Sequence, residues 1–96
     1  MPADVVVDER EFRSAAPLQR QTLRKIARRL EERPYLGERI RKDLVPPSFR
    51  KLPNLFRIEL PDGWRALYAV ITKSSTREVR VVWIGNHKRY DRLFGY

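Results

Sequence analysis

Cysteine is absent from the 96 residues, which excludes a disulfide framework and any thiolate metal cage. There is a single histidine, so the common zinc ligand sets cannot be assembled and no metal is expected. Nowhere do about 18 apolar residues run together, and Met1-Pro2-Ala3-Asp4 opens with neither a basic region nor an apolar stretch. A membrane span and an export signal are therefore not expected. No glycine-rich phosphate loop and no Ser-His-Asp arrangement stands out, which removes the familiar nucleotide and hydrolase motifs and leaves no small-molecule cofactor to expect. A small domain without covalent staples suits a reducing compartment, and the cytoplasm is the expected location.

What is present begins with a core. Hydrophobic residues make up 42% of the chain, including two Trp, four Tyr and four Phe, a composition of folded proteins rather than of disordered basic tails. Residues 1–96 read as a single domain, large enough to hide only about two-thirds of its unfolded surface. Against this stands a net charge of +9, from 21 Lys and Arg and 12 Asp and Glu. Such a field attracts polyanions, and guanidinium groups match phosphate oxygens in a bidentate fork. Nucleic acid leads as the partner, ahead of an acidic protein or an anionic surface. Surface arginines used for solubility or ion-pair networks are the alternative.

Val5-Val6-Val7 reads as a short buried strand, and Asp8 with Glu11 three residues on marks a helix start. A second helix runs from Pro17 to a stop at Pro34, with Leu23, Ile26, Ala27 and Leu30 at i, i+3, i+4 and i+7. Its other face carries Arg20, Arg24, Lys25, Arg28 and Arg29, either a solvated face or a binding face. Residues 35–51 read as an irregular connector, with a helical turn around Gly37 to Leu44 and Pro46-Pro47 forbidding regular structure. The period then becomes two: Phe56, Ile58 and Leu60 alternate with Arg57 and Glu59. Asp62-Gly63 makes a tight turn into a run from Trp64 to Thr72, and a polar loop leads to a third run, Val79 to Ile84. Trp64 and Trp83 read as core. The tail's Leu93, Phe94 and Tyr96 are expected to anchor on the sheet. The fold class is α+β: an N-terminal short strand and two helices packed on a C-terminal antiparallel β-meander, with the opposite sheet face open.

Arg57, Glu59 and Arg65 fall on that open face by alternation, and Asn86 to Asp91 follows the last strand. This inventory fits metal-free RNA cleavage, in which a ribose 2′-hydroxyl attacks the adjacent phosphorus. A base takes its proton, cations hold the developing charge and an acid protonates the leaving oxygen. His87 is the side chain whose ordinary pKa lies near neutrality. Glu59 is a second candidate base, and Tyr90 could donate a proton or stack on a base. Each has a plainer alternative: His87 at a helix start, Tyr90 as packing with a wet hydroxyl, Arg57 and Glu59 as a surface pair.

Leu55-Phe56-Arg57-Ile58-Glu59-Leu60, then Gly63-Trp64-Arg65-Ala66-Leu67-Tyr68-Ala69-Val70, then Val82-Trp83-Ile84-Gly85-Asn86-His87-Lys88-Arg89-Tyr90-Asp91-Arg92 resembles the RelE/ParE superfamily of type II toxin-antitoxin toxins. The His-x-x-Tyr-Asp ending is similar to the HigB-like and YoeB-like branches. The resemblance implies a RelE-like fold and an enzyme, a ribosome-dependent mRNA endoribonuclease that cuts in the A site, inhibits translation and is neutralised by a cognate antitoxin protein. It implies that Arg65 contacts the scissile phosphate, with His87, Tyr90, Arg57 and Glu59 as further site residues. Arg57 and Glu59 stand where RelE has lysines, so the charge is reversed at Glu59. His87 stands at an arginine position, and Tyr90 comes earlier than the RelE tyrosine. Lys88, Arg89, Arg50 and Lys51 are expected to contact RNA. Two other functions share the scaffold or the charge: a ParE-like gyrase inhibitor, and a non-catalytic RNA- or ribosome-binding protein.

Overall fold

A computed structural model describes residues 3–95; the expectation for Tyr96 lies outside the described residues. Strand β1 (Asp4–Val7) leads into α1 (Glu9–Ser14), where the Asp8 carboxylate accepts from the Glu11 N–H at 3.1 Å. This is the helix start that the Asp-Glu spacing predicts. Helix α2 (Pro17–Glu32) begins on its proline and buries Leu23 and Leu30, with Ile26 packed beside them. Its cationic residues Arg24, Lys25, Arg28 and Arg29 stay exposed, and Arg24 lies over the Phe12 ring at 5.2 Å.

The sheet has five strands in the order β1-β5-β4-β3-β2, with β2 at Glu38–Arg39, β3 at Phe56–Glu59, β4 at Arg65–Lys73 and β5 at Thr76–Gly85. The meander β3-β4-β5 is antiparallel as expected, and two strands are added to it. β1 pairs parallel with β5, Val5 opposite Val79 and Val7 opposite Val81. β2 pairs antiparallel with β3 and replaces the first part of the helical turn expected around Gly37 to Leu44; only Lys42–Leu44 forms a 3-10 turn. Between β3 and β4, Asp62 (φ 59°) and Gly63 (φ 76°) both take positive φ, and the Trp64 N–H donates to the Pro61 carbonyl at 3.3 Å. Positive φ at both central residues is the type I′ geometry that Asp-Gly favours, because its twist matches that of the flanking strands. The expected polar loop 73–78 is shorter than its composition suggests: strand pairing continues to Lys73 opposite Thr76.

Both faces of the sheet are covered, which corrects the expectation of an open face. On one side α1 and α2 enclose Leu23, Leu30, Phe56, Tyr68, Val70, Val79, Val81 and Ile84. On the other a second core gathers Val45, Leu55, Leu67, Trp83 and Tyr90, with Phe49, Leu52, Leu93 and Phe94 packed against it. The cover there is helix α3 (His87–Phe94) and the 40–53 connector, which carries a further 3-10 turn at Pro47–Phe49. The physical reason lies in β4, where Ala66 to Val70 are all buried. A strand apolar on both sides needs cover on both sides.

A bulge lets β5 serve both cores. Leu67 pairs with Trp83 but Tyr68 with Val81, so Val82 is the extra residue. Val79 and Val81 face the helices, Val82 and Trp83 turn to the second core, and Ile84 returns to the first. The bulge restores the pleat with opposite parity. Beyond the end of β1, the Glu11 carboxylate accepts the Ile84 N–H at 2.9 Å, supplying an acceptor where the neighbouring strand has stopped.

Candidate functional site

Strand register sets the site. Arg57 stands opposite Leu67, Glu59 opposite Arg65, and Arg65 opposite Gly85. Arg57, Glu59 and Arg65 therefore share the face of Leu67 and Trp83. Helix α3 then folds back over it: the Asn86 side chain accepts the Arg89 N–H at 3.0 Å, and Gly95 ends the helix at φ 78°. A capping asparagine and a left-handed glycine fix an eight-residue helix that would be marginal alone.

The helix delivers Tyr90 between the arginines. Arg57 Nη1 donates to the Tyr90 hydroxyl at 3.2 Å, and the Arg65 guanidinium carbon lies 4.4 Å from the centre of the Tyr90 ring. Phe94 stacks on the same ring at 4.4 Å, and Trp83 meets it edge-on at 6.1 Å. Tyr90 is 3% exposed, so its ring is packed by the fold and has no face left for a base to stack on. Arg57 also forms an ion pair with Glu38, Nη2 to Oε2 at 2.7 Å. Burial pulls the Arg57 pKa down, but the hydrogen bonds to Tyr90 and Glu38 outweigh it and raise the value, so the group is a permanent cation. Arg65 has no hydrogen bond or ion pair among the described residues, and its donors remain unspent.

Around this trio the other expected residues separate. Glu59 is exposed at the end of β3, beside Arg65 across the ladder. His87 opens α3, exposed, with Nε2 3.9 Å from Asp91 Oδ2. A side-chain carbon on Gly63 would sit 3.8 Å from His87 Cβ, so the type I′ turn abuts the histidine. Lys88 is exposed. Arg89, expected to meet RNA, is engaged by the fold: Nη1 donates to the Ile84 carbonyl at 3.0 Å, and the group lies over Trp83 at 5.3 Å. Arg50 and Lys51 are exposed on the connector, and among the described residues no hydrogen bond, ion pair or ring contact joins them to the Arg57-Arg65-Tyr90 cluster. Glu38 was not foreseen, because a two-residue strand pairing with β3 has no sequence signature. Among the described residues no three His, Asp or Glu are grouped to hold a metal ion, and no helix is long and apolar enough to cross a membrane.

No protein-family model matches the chain, and no curated protein matches it. Among solved structures it is similar to E. coli toxin RelE, in a mutant with two arginines replaced by alanine. In the free state that toxin superposes with a TM-score of 0.62 at 24% identity, over 95% of this chain and 90% of RelE. In complex with a RelBc antitoxin peptide the values are 0.60 and 23%, over 96% of this chain and 94% of RelE. With nearly all of both chains superposed, the two helices, the meander and the returning C-terminal helix are together the fold of the RelE toxin.

Proposed function

We propose that this chain is the toxin of a type II toxin-antitoxin pair: a ribosome-dependent, metal-independent endoribonuclease that cuts mRNA in the A site, inhibits translation in the cytoplasm and is held in check by a cognate antitoxin. The observation that carries this is the convergence of Arg57 and Arg65 on Tyr90 within a RelE fold, one of whose solved examples is bound to an antitoxin peptide.

In the proposed reaction the substrate's 2′-oxygen forms a bond to phosphorus and the bond to the 5′-oxygen breaks. Arg65, with its donors free, binds the non-bridging oxygens, where negative charge grows. Arg57 adds a second fixed cation. The 2′-hydroxyl proton passes to a base, Glu59 or His87, and the departing 5′-oxygen takes a proton from the other or from water. Tyr90 is a positioning residue: its hydroxyl holds one guanidinium and its ring the other. The cyclisation uses only the substrate's own 2′-hydroxyl, which accounts for RNA over DNA.

The test is an in vitro translation reaction with a defined mRNA, read by primer extension. Codon-spaced cuts are expected, falling by about 10²-fold or more with Arg65→Ala and lost with His87→Ala. Unchanged cutting by both variants refutes the site. Intact mRNA with inhibited supercoiling by gyrase favours the ParE-like function, and ribosome binding without either effect favours the non-catalytic one.

A further inference from the structure

On the connector side of the sheet a cleft of about 260 Å³ has Arg39, Lys42, Val45, Arg50, Asn54 and Leu55 among its lining residues. It lies outside the Arg57-Arg65-Tyr90 cluster and contributes nothing to the proposed cleavage. Its aliphatic members, Ile40, Val45, Leu52 and Leu55, belong to the second core or pack against it, so the apolar part of the lining is continuous with that core. Its three charged members are all cations. Both acids adjacent to these cations in sequence are paired elsewhere: Asp43 in a two-pronged pair with Arg41, at 3.2 and 2.8 Å, and Glu38 with Arg57 at 2.7 Å. The side chains of Lys42 and Arg50 have no hydrogen bond or ion pair among the described residues.

We infer that this cleft is a docking site for a partner protein, and that it takes an acidic segment inserting an aliphatic side chain. Charge and shape select this occupant. The volume falls below the 300–1,000 Å³ typical of small-molecule sites and suits a side chain or two. A nucleotide would be held poorly: no aromatic residue lines the walls to stack on a base. The one side-chain amide, Asn54, is spent at both ends on the Val70 backbone, donating at 3.0 Å and accepting at 2.7 Å. It therefore has nothing left to read a base edge with. Carboxylates on a peptide would meet Lys42 and Arg50 while its apolar side chain covers Val45 and Leu55. Arg39 also belongs to β2, the terminal strand of the sheet. The outer edge of β2 is unpaired among the described residues, so the segment can add main-chain hydrogen bonds as it passes.

The experiment is methyl-detected NMR of the full chain titrated with a synthetic peptide of alternating glutamate and leucine. Saturable shifts are expected at Ile40, Val45, Leu52 and Leu55, and none with a peptide in which serine replaces leucine. The double variant Lys42→Glu/Arg50→Glu should weaken binding by about tenfold or more. Arg24→Glu/Arg28→Glu, which makes the same charge change on α2, should leave it within about twofold. Absence of saturable shifts at these methyls, or an equal loss from the α2 variant, overturns the docking site. So does displacement of the peptide by an oligouridine, which would make the cleft an RNA subsite. Arg65→Ala should bind the peptide normally, which separates failure here from failure of the cleavage proposal.

Discussion

Arg65 lies across the face of Tyr90, its guanidinium carbon 4.4 Å from the ring centre, while Arg57 reaches the hydroxyl of the same residue from 3.2 Å. Two cations thus share one buried aromatic residue through different parts of it. The ring's negative face stabilises a cation above it, and the phenol oxygen accepts from the other. Glu38 offsets part of the mutual repulsion through its pair with Arg57.

Substitutions at Tyr90 should separate these parts. Tyr90→Phe keeps the ring and removes the acceptor of Arg57, and is expected to cost about 1 kcal/mol in urea unfolding. Tyr90→Ala empties the centre of the second core and is expected to cost about 3–5 kcal/mol. Equal losses would show that the ring contributes nothing beyond its hydroxyl.

Glu38 competes with any phosphate for Arg57. Its side chain is largely exposed and the partner less so, so the pair is screened and worth under about 1 kcal/mol. Glu38→Gln should leave thermal stability nearly unchanged and tighten binding of a short RNA at low salt by several-fold. A weaker complex would refute competition at Arg57.

Stability at high pH should depend on Tyr68. Burial raises its pKa, against a lowering hydrogen bond from the Gly37 N–H at 2.8 Å. The folded state therefore holds the phenol proton more tightly than the unfolded chain does. Stability is unaffected below the ordinary tyrosine value of about 10 and declines as pH rises from there through the folded value. Tyr68→Phe should abolish that decline while costing about 1 kcal/mol at neutral pH. An unchanged alkaline slope in urea titrations would contradict this.

Gly85 is a packing requirement. A Cβ there would stand 2.7 Å from the Trp83 ring and 3.3 Å from Arg89 Cβ. Gly85→Ala must displace the indole beneath α3 and should cost about 1–3 kcal/mol, with altered Trp fluorescence. An unperturbed spectrum would mean that α3 moves instead.

How much of this was legible in the sequence follows from the range of each interaction. Asp62-Gly63, Asp8 with Glu11, and Pro17 with the stripe to Leu30 are local signals, and each forms the element it predicts. The pleat correctly put Arg57, Glu59 and Arg65 on one face. That this face is covered was also written in the chain, since Leu67 and Trp83 share it and Ala66 to Val70 allow no polar residue. Asn86 before His87, with Tyr90 and Phe94 at helical spacing, marks α3. By contrast the parallel β1–β5 pairing, the extra residue at Val82 and the Glu38 pair depend on partners far apart in sequence, for which alternation carries no register. The role of each site residue is likewise set by what it meets, and not by its type.

The position of β5 between β1 and β4 also bears on the order of synthesis. A nascent chain reaching Lys73 has β2, β3 and β4 but not β5, so β1 has nothing to pair with. Arg57 and Arg65 have by then been made, yet the aromatic residue that gathers them has not. Under the proposed activity, the site is thus unassembled during synthesis until residues 87–94 have emerged and can dock on the sheet.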